Sequence, residues 1–449
     1  MGVEAPPRRR DVMGVVLAPA IWLERARGRR RLALLAAYAV VGLVVGVLGW
    51  RAMSLNALPD VGDPPGLDAL KNIEVPDDRN AFVLYMEAIA RLRRITPEEA
   101  RLQTTTDWSK VDPKVHRWVE DNRAALAIWR RGTERPDALL VAPADLTFDT
   151  DLHEFQQLRD FSRLAALEGS RLEQAGDVAG AWDLYRAMLR SSRHVGRHGC
   201  IIQRLVGVAI HGVSASGLMQ LADDPRIDAA TLRSTLREAV ALDRTTDPPS
   251  VSIKFEYLSI MRFLDDPEPF LRKYNPEMFA GDAEHWYRNL PKYREAEWFL
   301  LREPERSRRL ARLCFANLLA HCDKPASARP PIAAGELGLF QDRPESGPVS
   351  REELERWSKT TRIFRVVYPA IFNALHAYDR ERASNSALVL HLAEQIYIRE
   401  RGRPPKALGE LIGPDLPALP DGCDPGDAPI GATEVKDAKM IKRKWQNGR

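Results

Sequence analysis

The strongest constraint on this chain is Leu32–Trp50, LALLAAYAVVGLVVGVLGW: nineteen residues without a charge, entered through Arg29, Arg30 and Arg31 and left through Arg51. At about 1.5 Å of rise per residue, a helix of that length reaches roughly 28 Å, close to the thickness of a bilayer's hydrocarbon core. Hydrocarbon offers no partner to backbone N–H and C=O groups, so such a segment must be helical to satisfy them internally. The arginine triplet at one end and Trp50 with Arg51 at the other suit the two interfaces. One transmembrane helix over residues 32–50 is therefore expected, in contact with the lipid bilayer.

Charge sets the expected orientation. Residues 1–31 carry eight Arg against Glu4, Asp11 and Glu24, whereas residues 51–80 carry three basic groups against six acidic ones. Positive charge stays on the cytoplasmic side, so residues 1–31 form a basic cytoplasmic segment and the rest of the chain is extracytoplasmic, anchored in the inner membrane. A cleaved secretory signal is the competing reading; the long leader and the lack of an A-x-A site after Trp50 weigh against it. Gly42 and Gly46 form a GxxxG, which would let two such helices approach as a weak homodimer. The apolar run Val12–Leu23 is too short to cross and holds Pro19.

A pI of 8.8 invites a nucleic-acid reading, but the charge is uneven. Residues 1–31 and the basic tail 436–449 each carry +5, so the total of +4 leaves residues 32–435 acidic at −6. Nucleic acid is therefore not an expected partner. The four cysteines, Cys200, Cys314, Cys322 and Cys423, are too few in 449 residues to form a disulfide framework.

After the anchor, residues 51–77 read as a Pro/Gly linker holding the body off the membrane. A helical domain spans 78–322. Asp77 or Asp78 is placed to cap a helix running to Arg94, and Asp112-Pro113 to open one reaching about Arg131. In 152–222, Phe155, Leu158, Phe161, Ala165 and Leu172 recur at helical spacing; Gly176-Asp177 supplies a turn and cap; Val178, Ala181, Trp182, Tyr185, Met188 and Leu189 recur again. Two antiparallel helices follow, then an apolar third from Ile201 to Leu221. Asp228 and Ser250 open two more, and Tyr293–His321 reads as helical with a break before Pro304. Residues 323–350 form a Pro-rich loop with docking potential. Ser350-Arg-Glu-Glu opens the helical segment 351–402, which stops at Gly402, and 403–435 form a Pro-rich turn module. The expected fold class is all-α: a transmembrane helix, an extracytoplasmic helical-hairpin domain and a Pro-rich C-terminal extension.

GDVAGAWDLYRAML, residues 176–189, resembles the second helix of a tetratricopeptide repeat through Gly176, Asp177, Ala181, Tyr185 and Ala187, but no copy recurs 34 residues on. Gly402, Pro405, Leu408, Leu411 and Asp424-Pro425 resemble a tail module of bacterial envelope and pseudopilin-like sequences. With the anchor and the helix start near 77–81, the chain resembles uncharacterised single-pass membrane proteins abundant in planctomycete bacteria. That resemblance implies a location and no activity.

Candidate chemistry is sparse. His194 and His198, four apart near a helix end with Cys200 close by, could share a metal, yet two ligands do not make a site. Asp149, Asp151, His153 and Glu154 cluster where capping already explains them. His321-Cys322 would need the fold to bring together side chains that point apart on a helix. There is no G-x-S-x-G, S-x-x-K or P-loop, and Trp286, Tyr287, Trp298 and Phe299 read as core. No catalytic, cofactor or metal residue is assigned. The expected function is an interaction or scaffold protein of the bacterial envelope binding another envelope protein; the alternatives are a metal-dependent envelope hydrolase and a secretion-apparatus accessory.

Overall fold

A computed structural model describes residues 27–428 except 57, 144, 148–152, 267–269, 271–272, 274–302, 334, 342–348, 362–363, 366–367 and 369–370. The expectations for Val12–Leu23, Asp149, Asp151, Trp286, Tyr287, Trp298, Phe299 and the tail 436–449 lie outside the described residues. Among the described residues every regular element is helical, and the only bridges are the isolated pairs Asn80–Asp137 and Ile332–Phe340.

Helix α1, Arg29–Asn56, contains the apolar stretch, and none of its apolar window is buried by the rest of the chain. The short α2, Leu67–Lys71, precedes α3, Ala81–Ala90. The cap of α3 is Asn80, not Asp77 or Asp78. Its Oδ1 accepts from Phe82 N and Leu139 N while its Nδ2 donates to Leu139 O, so one amide both starts the helix and fixes a distant loop. After α4, Pro97–Leu102, the helix expected over 113–131 is two: α5, Pro113–Asp121, and α6, Arg123–Gly132. Asn122 breaks it because its buried side chain bonds the backbone of Arg93 and of Trp118.

The hairpin is α7, His153–Gln174, and α8, Val178–Gly196, followed by α9, Ile201–Ala222. Gly176 turns the chain at φ +86°, where a Cβ would be strained, and Asp177 caps α8 by accepting from Gly180 N at 2.8 Å. Helix α9 is also long and apolar enough to cross a bilayer, but 61% of its apolar window is buried inside the body. Helices α8 and α9 approach closely at Gly207, where an added Cβ would stand 2.5 Å from Ser192 O. Gly207→Ala is therefore expected to cost about 1–3 kcal/mol, read as a lower denaturant midpoint. Gly212→Ala, with nothing within 4 Å of its Cβ, is expected to leave the midpoint unchanged or raise it.

Helices α10, Ala229–Arg244, α11, Pro249–Asp265, α12, Glu303–His321, α13, Arg351–Thr360, and α14, Ile371–Arg401, complete the body. The capping box at Ser350 forms as expected, with Glu353 returning to Ser350 N. The described parts of the Pro-rich loop pack against the body. Leu337, Leu339, Phe340 and Val349 are buried, and Asn317 clamps Phe340 through both its N–H and its C=O. In the tail module Leu408, Leu411 and Leu416 are buried, while Leu408 N–H and Gly409 N–H donate to Asp427 O and Pro425 O.

The linker expectation is corrected. Helix α1 continues to Asn56, and the segment after it docks on the body, with Leu58 fully buried and Leu67 nearly so. An apolar residue on each side of the proline-rich stretch supplies the reason: exposed, both would leave hydrocarbon in water.

Among the described residues two large apolar cores form, with a small third cluster of Leu146, Cys200 and Phe255. One joins α3, α5–α10 and the second half of α14, Leu388–Ile396; the other joins the 58–67 segment, α11, α12, α13 and the first half of α14, Ile371–Tyr378. Helix α14 passes through both.

Candidate functional site: a buried ionic seam

On α14 the core-facing residues Ile371, Ala374, Leu375 and Tyr378 belong to one core and Leu388, Leu392 and Ile396 to the other. Between them, at the same helical spacing, stand Glu381 and Asn385, which are 4% exposed each. The apolar stripe is interrupted by a carboxylate and an amide at the seam between the cores.

Two arginines meet Glu381 there. Arg193, from the last turns of α8, donates through Nη1 to Glu381 Oε1; Arg204, from the first turns of α9, donates through Nη2 to Glu381 Oε2 at 2.5 Å. Both guanidinium groups are buried. Gly196 leaves the room for this: a Cβ there would meet Arg204 Nη1 at 2.7 Å. Asn385 Oδ1 lies 3.4 Å from Arg193 Nη2 and 3.3 Å from His211 Nε2, so His211 on α9 donates to it. Arg204 also lies over the Tyr378 ring, whose hydroxyl is 3.1 Å from Ser252 Oγ on α11. Toward the surface Arg193 approaches Asp243 at 3.9 Å.

Burial works to raise the Glu381 carboxyl, but Arg193 and Arg204 outweigh it and hold it below the ordinary carboxylate value. Glu381 is therefore ionised and the seam is a true ion cluster tying α8, α9 and α14 together. Charge in such a place is expensive to create and costly to unpair, which suits it to fix the relative register of helices.

His194 and His211 are held neutral. Burial first, then Arg197 for one and Arg193 for the other, brings each down to about 4. In the unfolded chain both titrate near 6.5, so the unfolded state gains protons first as the pH falls. Their contribution is complete above about pH 6.5 and is lost as the pH falls toward 4, by up to about 3 kcal/mol for each ring. The denaturant midpoint is expected to drop across that window, and His194→Gln is expected to flatten part of the slope.

The histidine pair expected on one helix is separated. Helix α8 ends at Gly196, and His198 adopts φ +51°, so the two residues do not share one helix face. His194 Nδ1 lies 2.8 Å from Tyr85 OH, while His198 meets Asp247 Oδ2 with its backbone N–H at 2.7 Å and its Nδ1 at 3.4 Å. Cys200 starts α9 with its N–H on Gln203 Oε1, and burial pushes its thiol up to about 12. No group of three His, Cys, Asp or Glu that could hold a metal occurs among the described residues.

His321 and Cys322 turn to different partners. His321 Nδ1 is 3.0 Å from Lys324 Nζ and its ring rests on Phe340, whereas the Cys322 thiol turns toward Leu319 O and Asp323. Burial raises that thiol, which disfavours the thiolate a nucleophile needs. All four cysteines are free. His153 opens α7 and Glu154 follows it, in the first turn where the helix dipole favours acidic groups.

No protein-family model, curated protein or solved structure matches the chain.

Proposed function

We propose that this is a single-pass membrane protein of the bacterial inner membrane. Its residues 1–31 lie in the cytoplasm and its helical body outside, where it acts as an interaction or scaffold protein for another envelope protein. The observation that carries the reading is α1: a charge-free span flanked by arginines, none of whose apolar window is covered by the body. A helix that leaves so much apolar surface uncovered needs lipid around it. The arginine excess before the span and the acidic residues after it support the orientation. In the body, a hairpin of the kind used in protein-binding repeats and a fixed ionic seam support a rigid binding platform over a catalytic one. Gly42 and Gly46 leave an open strip on α1 for a second copy.

The test is crosslinking of the tagged full-length protein in its own membranes, followed by mass spectrometry. A specific envelope protein that is lost when exposed residues of α7 and α8 are replaced supports the scaffold. Secretion components would favour the accessory role. Stoichiometric metal that disappears in His194→Ala/His198→Ala would overturn the scaffold in favour of a metal-dependent hydrolase.

A further inference from the structure

We infer that residues 58–63 form a strap that seats the body directly on the phospholipid headgroups, so that the anchor and the α11–α12 half of the body move as one rigid unit. This rests on the reading that α1 spans the membrane. Chain length makes the first step. Helix α1 continues from Trp50 to Asn56, six residues that rise about 9 Å, enough to cross a headgroup layer of roughly 5–8 Å. Leu58 comes two residues later, at most about 7 Å further along an extended chain. It is fully buried, in the core that contains Ile253, Tyr257, Leu310 and Phe315. No length of chain is left over to lift the body away from the membrane.

Polar contacts make the second step. Arg312 on α12 donates through Nη1 to both carboxylate oxygens of Asp60 at 2.9 Å, and through Nε and Nη2 to Asp63 at 2.9 and 2.8 Å. Arg309, one turn earlier, donates to Leu58 O at 2.9 Å, and Tyr257 on α11 donates its hydroxyl to Asp63 at 2.5 Å. The strap is gripped from two helices, by main chain and side chain together. Each exposed ion pair alone would contribute little, but a bidentate pair of clasps around a fully buried leucine holds a single geometry. The surface flanking the strap, including the 42% exposed Val61, is therefore the one presented to the headgroups.

The test uses the full-length chain in vesicles of phosphatidylcholine and phosphatidylglycerol, with Cys423→Ser leaving only the buried Cys200, Cys314 and Cys322. Nitroxides at Met53→Cys on α1 and Asp265→Cys at the end of α11, both exposed positions, report their separation by pulsed dipolar spectroscopy. A single narrow distance distribution is expected, widening several-fold in Asp60→Asn/Asp63→Asn. A broad distribution in the parent, or a narrow one that the double variant leaves unchanged, would overturn the strap. Flotation of the same samples separates the two ideas: protein that fails to float with the vesicles refutes the anchor itself, whereas floating protein with a broad distribution refutes only the seating.

Discussion

Glu381→Leu is expected to destabilise the body by about 3–5 kcal/mol, the largest effect of any single side chain at the seam. The substitution leaves Arg193 and Arg204, both buried, facing each other without the carboxylate that now separates them. The cost is the unpaired charge and not lost volume, because leucine is similar in size to glutamate. A compensating variant isolates that cause. Glu381→Leu with Arg193→Met and Arg204→Met removes all three charges, and stability is expected to return to within about 1–2 kcal/mol of the parent or above it. Urea unfolding of the three proteins in detergent checks the pair of outcomes. A triple variant no more stable than Glu381→Leu would mean that the arginines do something other than neutralise Glu381.

Leu58→Ala is expected to cost about 2–5 kcal/mol, the range for a fully buried leucine whose site cannot collapse. The size is informative because residue 58 follows the anchor directly and would cost almost nothing in a solvated spacer. Loss is expected to appear first in the core that holds α11 and α12, where hydrogen exchange of Leu310–Leu318 should accelerate. An exchange pattern altered equally throughout both cores would contradict the division into two.

The sequence made some of this legible and concealed the rest for physical reasons. Caps at Asp112, Asp177, Asp228 and Ser350 are local events, decided by a side chain and an N–H two or three residues away, and each forms where the spacing placed it. The break at Asn122 rests on the backbone of Arg93, 29 residues distant, which periodicity does not register. The cap at Asn80 is local, on Phe82 N, but Asp77 and Asp78 just before it are equally good capping residue types. What sets Asn80 apart is its second pair of bonds to Leu139, 59 residues away. The docked strap was hidden by its prolines and aspartates, which have the composition of a spacer; only Leu58 and Leu67 hinted otherwise.

The seam left one faint sign. On α14 the core-facing stripe runs through Tyr378 and Leu388 with Glu381 and Asn385 at positions that should be apolar. Polar residues in phase with a core stripe mark a buried network, yet Arg193 and Arg204 lie 188 and 177 residues away and are two among many arginines. The histidine pair failed in the opposite sense. Spacing of four implies one helix face only if the helix continues, and α8 stops between them.

The most direct measurement is protease protection of the full-length protein in intact spheroplasts, with separate epitopes before Arg29 and within the body. An anchored, outward-facing protein predicts an integral membrane fraction in which added protease removes the body epitope and spares the amino-terminal one. A body epitope protected until the membrane is opened, or a protein released with the soluble fraction, would contradict it.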